Sequence, residues 1–197
     1  MYGQGRKAAR SEATRAQLID VATRLFAERG YASVGTQEIV RRAGVTRGAL
    51  YHHFTDKRDL FLAVFERLDG ELVTGIAARV GGVTDPWEAM LAGMRAFLDA
   101  CTDPTVIRIS LVDAPAVLGW REWRDISASH GLGLVAAALQ AAMEAGVLTR
   151  RPVLPLAHLL LAAMTEAGLM VATAADPAAA RAEVEAPLIA VLEGLRA

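Results

Sequence analysis

Cysteine is nearly missing from this sequence. Cys101 is the single cysteine in 197 residues, so no disulfide can close within the chain, which fits a reducing cytosol. Lysine is almost as scarce: of 21 basic residues only Lys7 and Lys57 are lysines. That skew, with the alanine excess, points to a GC-rich genome rather than a physical requirement. No stretch alternates apolar and polar residues over a strand's length, so nothing supports a sheet. Metal-ligand spacing such as His-x-x-x-His, a nucleophile beside a base and a phosphate-cradling loop are all absent, which argues against an enzyme, a metal or a cofactor. The basic start lacks the apolar core of a signal peptide. Residues 1–11 are expected to be a flexible basic arm, and the protein to be cytoplasmic.

What is present is helical. The chain is long enough to bury a real core, and much of its 53% apolar content is alanine, a helix former. The predicted fold is all-α. Charge is divided along the chain: residues 1–67 hold twelve Arg and Lys against seven Asp and Glu, and residues 68–197 hold nine against fifteen. A basic front on an acidic back suggests nucleic-acid contact at one end.

Leu18, Val21, Ala22, Leu25 and Phe26 form one helical stripe, and Gly30 stands where a left-handed cap would end that helix. Thr36 is expected to cap a helix over 37–43, Thr46 one over 47–54, and Asp56, with Asp59 three residues on, one reaching Val80. The pairs Asp85-Pro86, Asp103-Pro104 and Asp176-Pro177 each place a capping acceptor before a proline at a first helical position. Further helices are expected at about 86–101, 104–114 (ended by Pro115), 119–145, 154–174 and 177–196, nine in all. The expected domains are 12–56 and 57–197, with 57–80 as the connecting helix.

Residues 36–54 have helix-turn-helix spacing, two short helices about a turn containing Gly44. In the second, Leu50 and Phe54 face inward with Val45, leaving Arg47, Gly48, Tyr51 and His52 on the opposite face. A recognition helix needs such a face: Arg47 suits a guanine edge, Thr36, Tyr51 and Lys57 suit phosphates on double-stranded DNA, and Thr46 at the helix start belongs to the same DNA-binding set. His52 and His53 are poor joint metal ligands, because adjacent side chains on a helix diverge by about 100°.

The segment from Thr14 to Leu68 resembles the DNA-binding domain of the TetR/AcrR family of bacterial regulators. The likeness rests on Leu25-Phe26-Ala27-Glu28-Arg29-Gly30-Tyr31, Ile39, Ala43-Gly44-Val45-Thr46, Gly48, Leu50-Tyr51, His53-Phe54, Lys57 and Leu60. Val40 and Asp56 depart slightly from the family pattern. The resemblance implies a three-helix N-terminal domain, a larger helical C-terminal domain, a homodimer formed by the last two long helices, and a near-palindromic operator. It also implies that a small-molecule effector shifts the fourth helix and so respaces the recognition helices. Most such proteins are repressors, though activators share the layout.

The run from Leu156 to Ala175 is long enough to span a bilayer, but His158 and Glu166 make that costly. It is expected instead to form a dimer interface with the last helix, through His158, Leu161, Val184, Leu188, Val191 and Leu195. For the effector pocket the candidates are the stripe Trp87, Met90, Met94 and Phe97, the bend residues Asp113, Trp120 and Trp123, and Met164 with Glu166. Two readings of the bend stay open: a binding site, or Asp113 capping a helix or pairing with Arg121 or Arg124 while the tryptophans fill the core. A largely hydrophobic or aromatic effector suits this set, and the tryptophans and acidic residues would also accept a cationic one. The competing function is an architectural DNA-binding protein with a solid core and no ligand.

Overall fold

The computed structural model describes residues 2–197, with side chains from Ala8 onward. It is all-α: among the described residues there are nine α-helices, one π-helical stretch and no strand beyond an isolated bridge between Leu148 and Arg196. The helices are α1 (Tyr2–Arg29), α2 (Thr36–Arg42), α3 (Arg47–His53), α4 (Lys57–Val80), α5 (Pro86–Ala100), α6 (Ala114–Leu118), α7 (Trp120–Glu144), α8 (Val153–Thr173) and α9 (Pro177–Glu193).

The caps behave largely as their chemistry requires. Asp85, Asp103 and Asp176 each accept from amides two or three residues on, Asp56 accepts from Asp59 N–H at 2.8 Å, and Thr46 accepts from Ala49 N–H at 3.1 Å. Thr36 does not cap α2. It is the first helical residue, and Gly35 holds the extended cap position. Gly30 ends α1 with φ +77°. A Cβ there would meet Arg108 and Asp113 only at ordinary contact distance, 3.5 Å, so backbone conformation rather than space demands glycine.

Two expectations fail. The basic arm over 1–11 is not irregular chain from Tyr2 onward but the first turns of α1. Its Gln, Arg, Lys and Ala residues are good helix formers, and no proline interrupts them. Nor does Pro115 end a helix. Residues Val106–Asp113 wind as a π-helix that passes directly into α6, and Gly119, φ +88°, makes the stop. In the π register the amide of residue 115 would serve the Ser110 carbonyl, and proline has no N–H to give. The indole Nε1 of Trp123 supplies that bond at 2.9 Å, so the break is satisfied rather than terminal.

Two apolar cores result. The first joins Leu18, Phe26, Ile39, Leu50, Phe61 and Phe65 from α1–α4 with Ile109, Leu118 and Trp123 from farther along, so packing runs unbroken across residue 56. The second gathers α5, α7, α8 and α9 around Leu98, Leu139, Ala157 and Val171. Helix α4 belongs to both halves: its start packs against α1, and its end packs against α5 and α7. By length and composition α7 and α8 could each cross a membrane; here they pack against each other.

Candidate DNA-binding face and effector cavity

The turn between α2 and α3 is short, and it lifts one face of α3 clear of the core. Leu50 and Phe54 are buried, and Val45 is half-buried against them. Arg47, Gly48, Tyr51 and His52 are all exposed on the other side, as their spacing predicts. Tyr51 is 43% exposed, and the Arg47 guanidinium sits 5.5 Å from its ring centre. The Thr36 hydroxyl and Arg47 both favour the ionised phenol, which lowers the Tyr51 pKa. These groups therefore form one exposed, donor-rich patch. Arg41 and Arg42, exposed in the last turn of α2, enlarge its positive field and were not anticipated.

Lys57 is a correction. Its Nζ donates to the Tyr31 carbonyl at 3.0 Å and the Val34 carbonyl at 3.1 Å, and lies 3.9 Å from the centre of the Tyr31 ring. Burial lowers its pKa. The ammonium closes the loop between α1 and α2 and spends two of its three donors on that turn. The signal misread was charge at a helix start, which attracts carbonyls as readily as anions.

A cavity of about 360 Å³ lies among α4, α5, α7 and α8. Of the predicted pocket residues it takes in Met90, Met94, Phe97, Trp123 and Met164. The others lie elsewhere. Trp87 is buried beneath the Arg196 guanidinium, 4.7 Å from its ring centre. Trp120 is 54% exposed on the outer surface, its ring tilted against that of Trp123. Glu166 faces outward on α8, because an apolar run conceals which side of a helix meets the core. Asp113 instead reaches the N-terminal helices, where its Oδ2 accepts from the Tyr31 N–H at 2.7 Å. It pairs with neither Arg121 nor Arg124.

Sequence reasoning missed Asp69. It falls in the stripe Phe65, Asp69, Leu72, Val73 and Ile76 along α4, a lone acid at a helical spacing of apolar residues. That spacing was the available signal. The carboxyl is buried, with His130 Nδ1 2.7 Å from Oδ2 and the Ser127 hydroxyl 3.5 Å from Oδ1. Burial raises its pKa above the ordinary 3.8, against the opposing pull of His130 and then Ser127. Such a group holds its proton more tightly folded than unfolded, so it contributes stability at low pH that is lost as pH rises through the folded value. Asp69→Asn should therefore remove a decline in stability on going upward from pH 4, and should be neutral or stabilising at pH 7. Urea unfolding at several pH values checks this; a loss above about 1 kcal/mol at pH 7 would mean that the His130 pair outweighs burial. Cys101 also lines the cavity, its thiol pushed up to about 12 by burial and so uncharged.

Part of the expected dimer stripe is used within the chain: Val184 is buried in the core, Leu188 and Leu195 are half-buried against it, and Leu161 lines the cavity. An apolar stripe does not declare whether it faces its own chain or another. The face left open carries Leu154, His158, Leu159 (69% exposed), Met170 and Val191, with Ala186, Pro187 and Ala190 beside them.

A family model described as Tetracyclin repressor-like, C-terminal domain, matches residues 87–195, and one for Bacterial regulatory proteins, tetR family, matches residues 18–64. The chain belongs to the TetR family. It is a TetR-family transcriptional regulator with a DNA-binding helix-turn-helix. A crystal structure of a TetR-family transcriptional regulator from Pectobacterium atrosepticum is 35% identical, with 95% of this chain and 96% of that one aligned at a TM-score of 0.87. The transcriptional activator FasR of Mycolicibacterium smegmatis is 40% identical over 85 residues, 43% of this chain and 39% of FasR. The transposon Tn10 TetC protein of Escherichia coli is 30% identical over 128 residues, 63% and 62% of the two chains. The chain thus spans less than two thirds of the length of these curated relatives.

Proposed function

We propose that this TetR regulator is a cytoplasmic homodimeric repressor that leaves a near-palindromic operator when a small, largely hydrophobic or aromatic effector fills the cavity between α4, α5, α7 and α8. The cavity carries this reading. A DNA-binding protein with only an architectural role needs a filled core, whereas here apolar side chains enclose space on the helix that begins at the DNA-binding domain. The exposed apolar face of α8 and α9 is the natural meeting surface for a second copy, and a two-fold pair would set two recognition helices roughly 34–36 Å apart, one turn of DNA. His158 and Val191 lie on that surface.

Selection of bound fragments from a genomic library, by the wild type and by an Arg47→Ala, Tyr51→Ala double variant, tests the DNA half. A palindromic site recovered by the wild type alone supports a sequence-specific dimer; identical fragments from both would defeat the reading. Release of that site by an apolar compound separates a repressor from an architectural protein, and tighter binding with the compound would mark an activator.

The single variants should divide by role. Arg47→Ala should relax preference at one operator position by about 1–3 kcal/mol, or about 5- to 150-fold, with little change elsewhere. Tyr51→Phe should weaken all sequences alike by losing a phosphate donor. Competition gel shifts against single-base operator variants measure both, and the opposite pattern would mean that α3 docks in another orientation.

A further inference from the structure

If the cavity is the effector site, its wall restricts what enters. Among the described residues Asp69 is the one Asp or Glu lining the space, and no Lys, Arg or His lines it. Its Oδ2 is engaged by His130 from behind the wall at 2.7 Å. Oδ1 has only the Ser127 hydroxyl, 3.5 Å away at the limit of a hydrogen bond. A carboxylate oxygen accepts more than this, so Oδ1 is an underused acceptor in an otherwise apolar enclosure.

The surroundings suit a cation with an apolar body. Phe65, Phe97 and Trp123 present aromatic rings to the same space, and Met90, Met94 and Met164 supply deformable apolar contact. An anionic head would meet Asp69 without any counter-charge, in a medium where burying an unpaired charge is costly. A hydroxyl could donate to the same carboxylate but would bring no positive charge to offset it in this apolar enclosure. We propose that the cavity takes a small apolar or aromatic amine whose ammonium donates to Oδ1 of Asp69, while its body lies between the methionines and the aromatic rings. The charge and hydrogen-bonding state of Asp69 then set effector class, and the apolar wall sets effector size.

Three probes with one body and three heads test this: 4-phenylbutylamine, 4-phenylbutanol and 4-phenylbutyrate, titrated into the full-length protein by tryptophan quenching and calorimetry. The amine should bind at least about tenfold more tightly than the alcohol, and the acid should not saturate. Asp69→Asn should bring the amine to within about threefold of the alcohol and leave the alcohol unchanged. His130→Gln, which keeps the carboxylate, should retain the amine preference and covers the case in which the Asp69 variant does not fold. Acid binding as tight as the amine, an amine preference surviving Asp69→Asn, or its loss in His130→Gln would each overturn the assignment. Saturation by the alcohol with no amine preference would do so too, while leaving the effector-sensing reading intact. Saturation by none of the three overturns the amine assignment; the sensing reading falls only if no compound of a wider apolar panel releases the operator.

Discussion

Lys57→Met should lower the melting temperature by about 10 °C while leaving the salt dependence of DNA binding unchanged. Methionine keeps the apolar stem that packs in place of the lysine chain but offers nothing to the carbonyls of Tyr31 and Val34. Each of those acceptors then loses a charged donor in a half-buried turn, about 1–3 kcal/mol apiece, and the contact with the Tyr31 ring goes as well. For a chain of this length roughly 3 kcal/mol corresponds to about 10 °C. If the ammonium reached phosphate instead, the melting point would hardly move and the slope of log affinity against log salt would fall by about one. Thermal unfolding with an operator titration across salt concentrations distinguishes the two, and a changed slope with unchanged stability would return Lys57 to the DNA contact.

The same residue shows where sequence reading succeeds and where it stops. Local rules located nearly every helix, because an Asp before a proline or a Gly past a stripe acts on neighbouring amides within the chain. The exposed patch of Arg47, Gly48, Tyr51 and His52 was legible for the same reason: Leu50 and Phe54 fix which side of α3 faces inward, and the remainder follows. Lys57, Asp113 and Pro115 obeyed partners far away in sequence. Tyr31 is 26 residues from Lys57 and 82 from Asp113. The bond that allows Pro115 to continue the helix comes from Trp123. Periodicity likewise shows that α9 has an apolar stripe but not that Val184 turns into the core of the chain itself. The cavity was half legible: its methionines show in their spacing, whereas a lone acid among apolar residues, as at Asp69, does not declare whether it faces a cavity or solvent.

Asp113→Ala should cost about 1.5–3 kcal/mol of stability and should also weaken the communication between cavity and operator. The first effect follows from the bond itself: a carboxylate accepting from the Tyr31 amide at 2.7 Å, the removal of which leaves that amide without its partner. The second follows from position. Ser110 and Trp123 line the cavity, the Trp123 indole holds the Ser110 carbonyl, and three residues on, at the end of the same π-helix, Asp113 grips the turn leading to α2. A body that displaces Trp123 must also disturb the Ser110 carbonyl, and a stiff helical turn carries that displacement to Tyr31. Helix α4 offers a parallel route, with Arg58 near its start donating to the Leu118 carbonyl at 3.3 Å and to Glu122 at 2.5 Å. Loss of Asp113 alone should therefore reduce, not abolish, the ratio of operator affinities without and with effector. From a typical coupling of 1–3 kcal/mol, a reduction of about three- to tenfold in that ratio is expected. Asp113→Asn, whose amide oxygen still accepts from Tyr31, should restore much of it. If Asp113→Ala unfolds at a lower temperature yet keeps the wild-type ratio, the π-helix is a brace only, and the signal passes through α4.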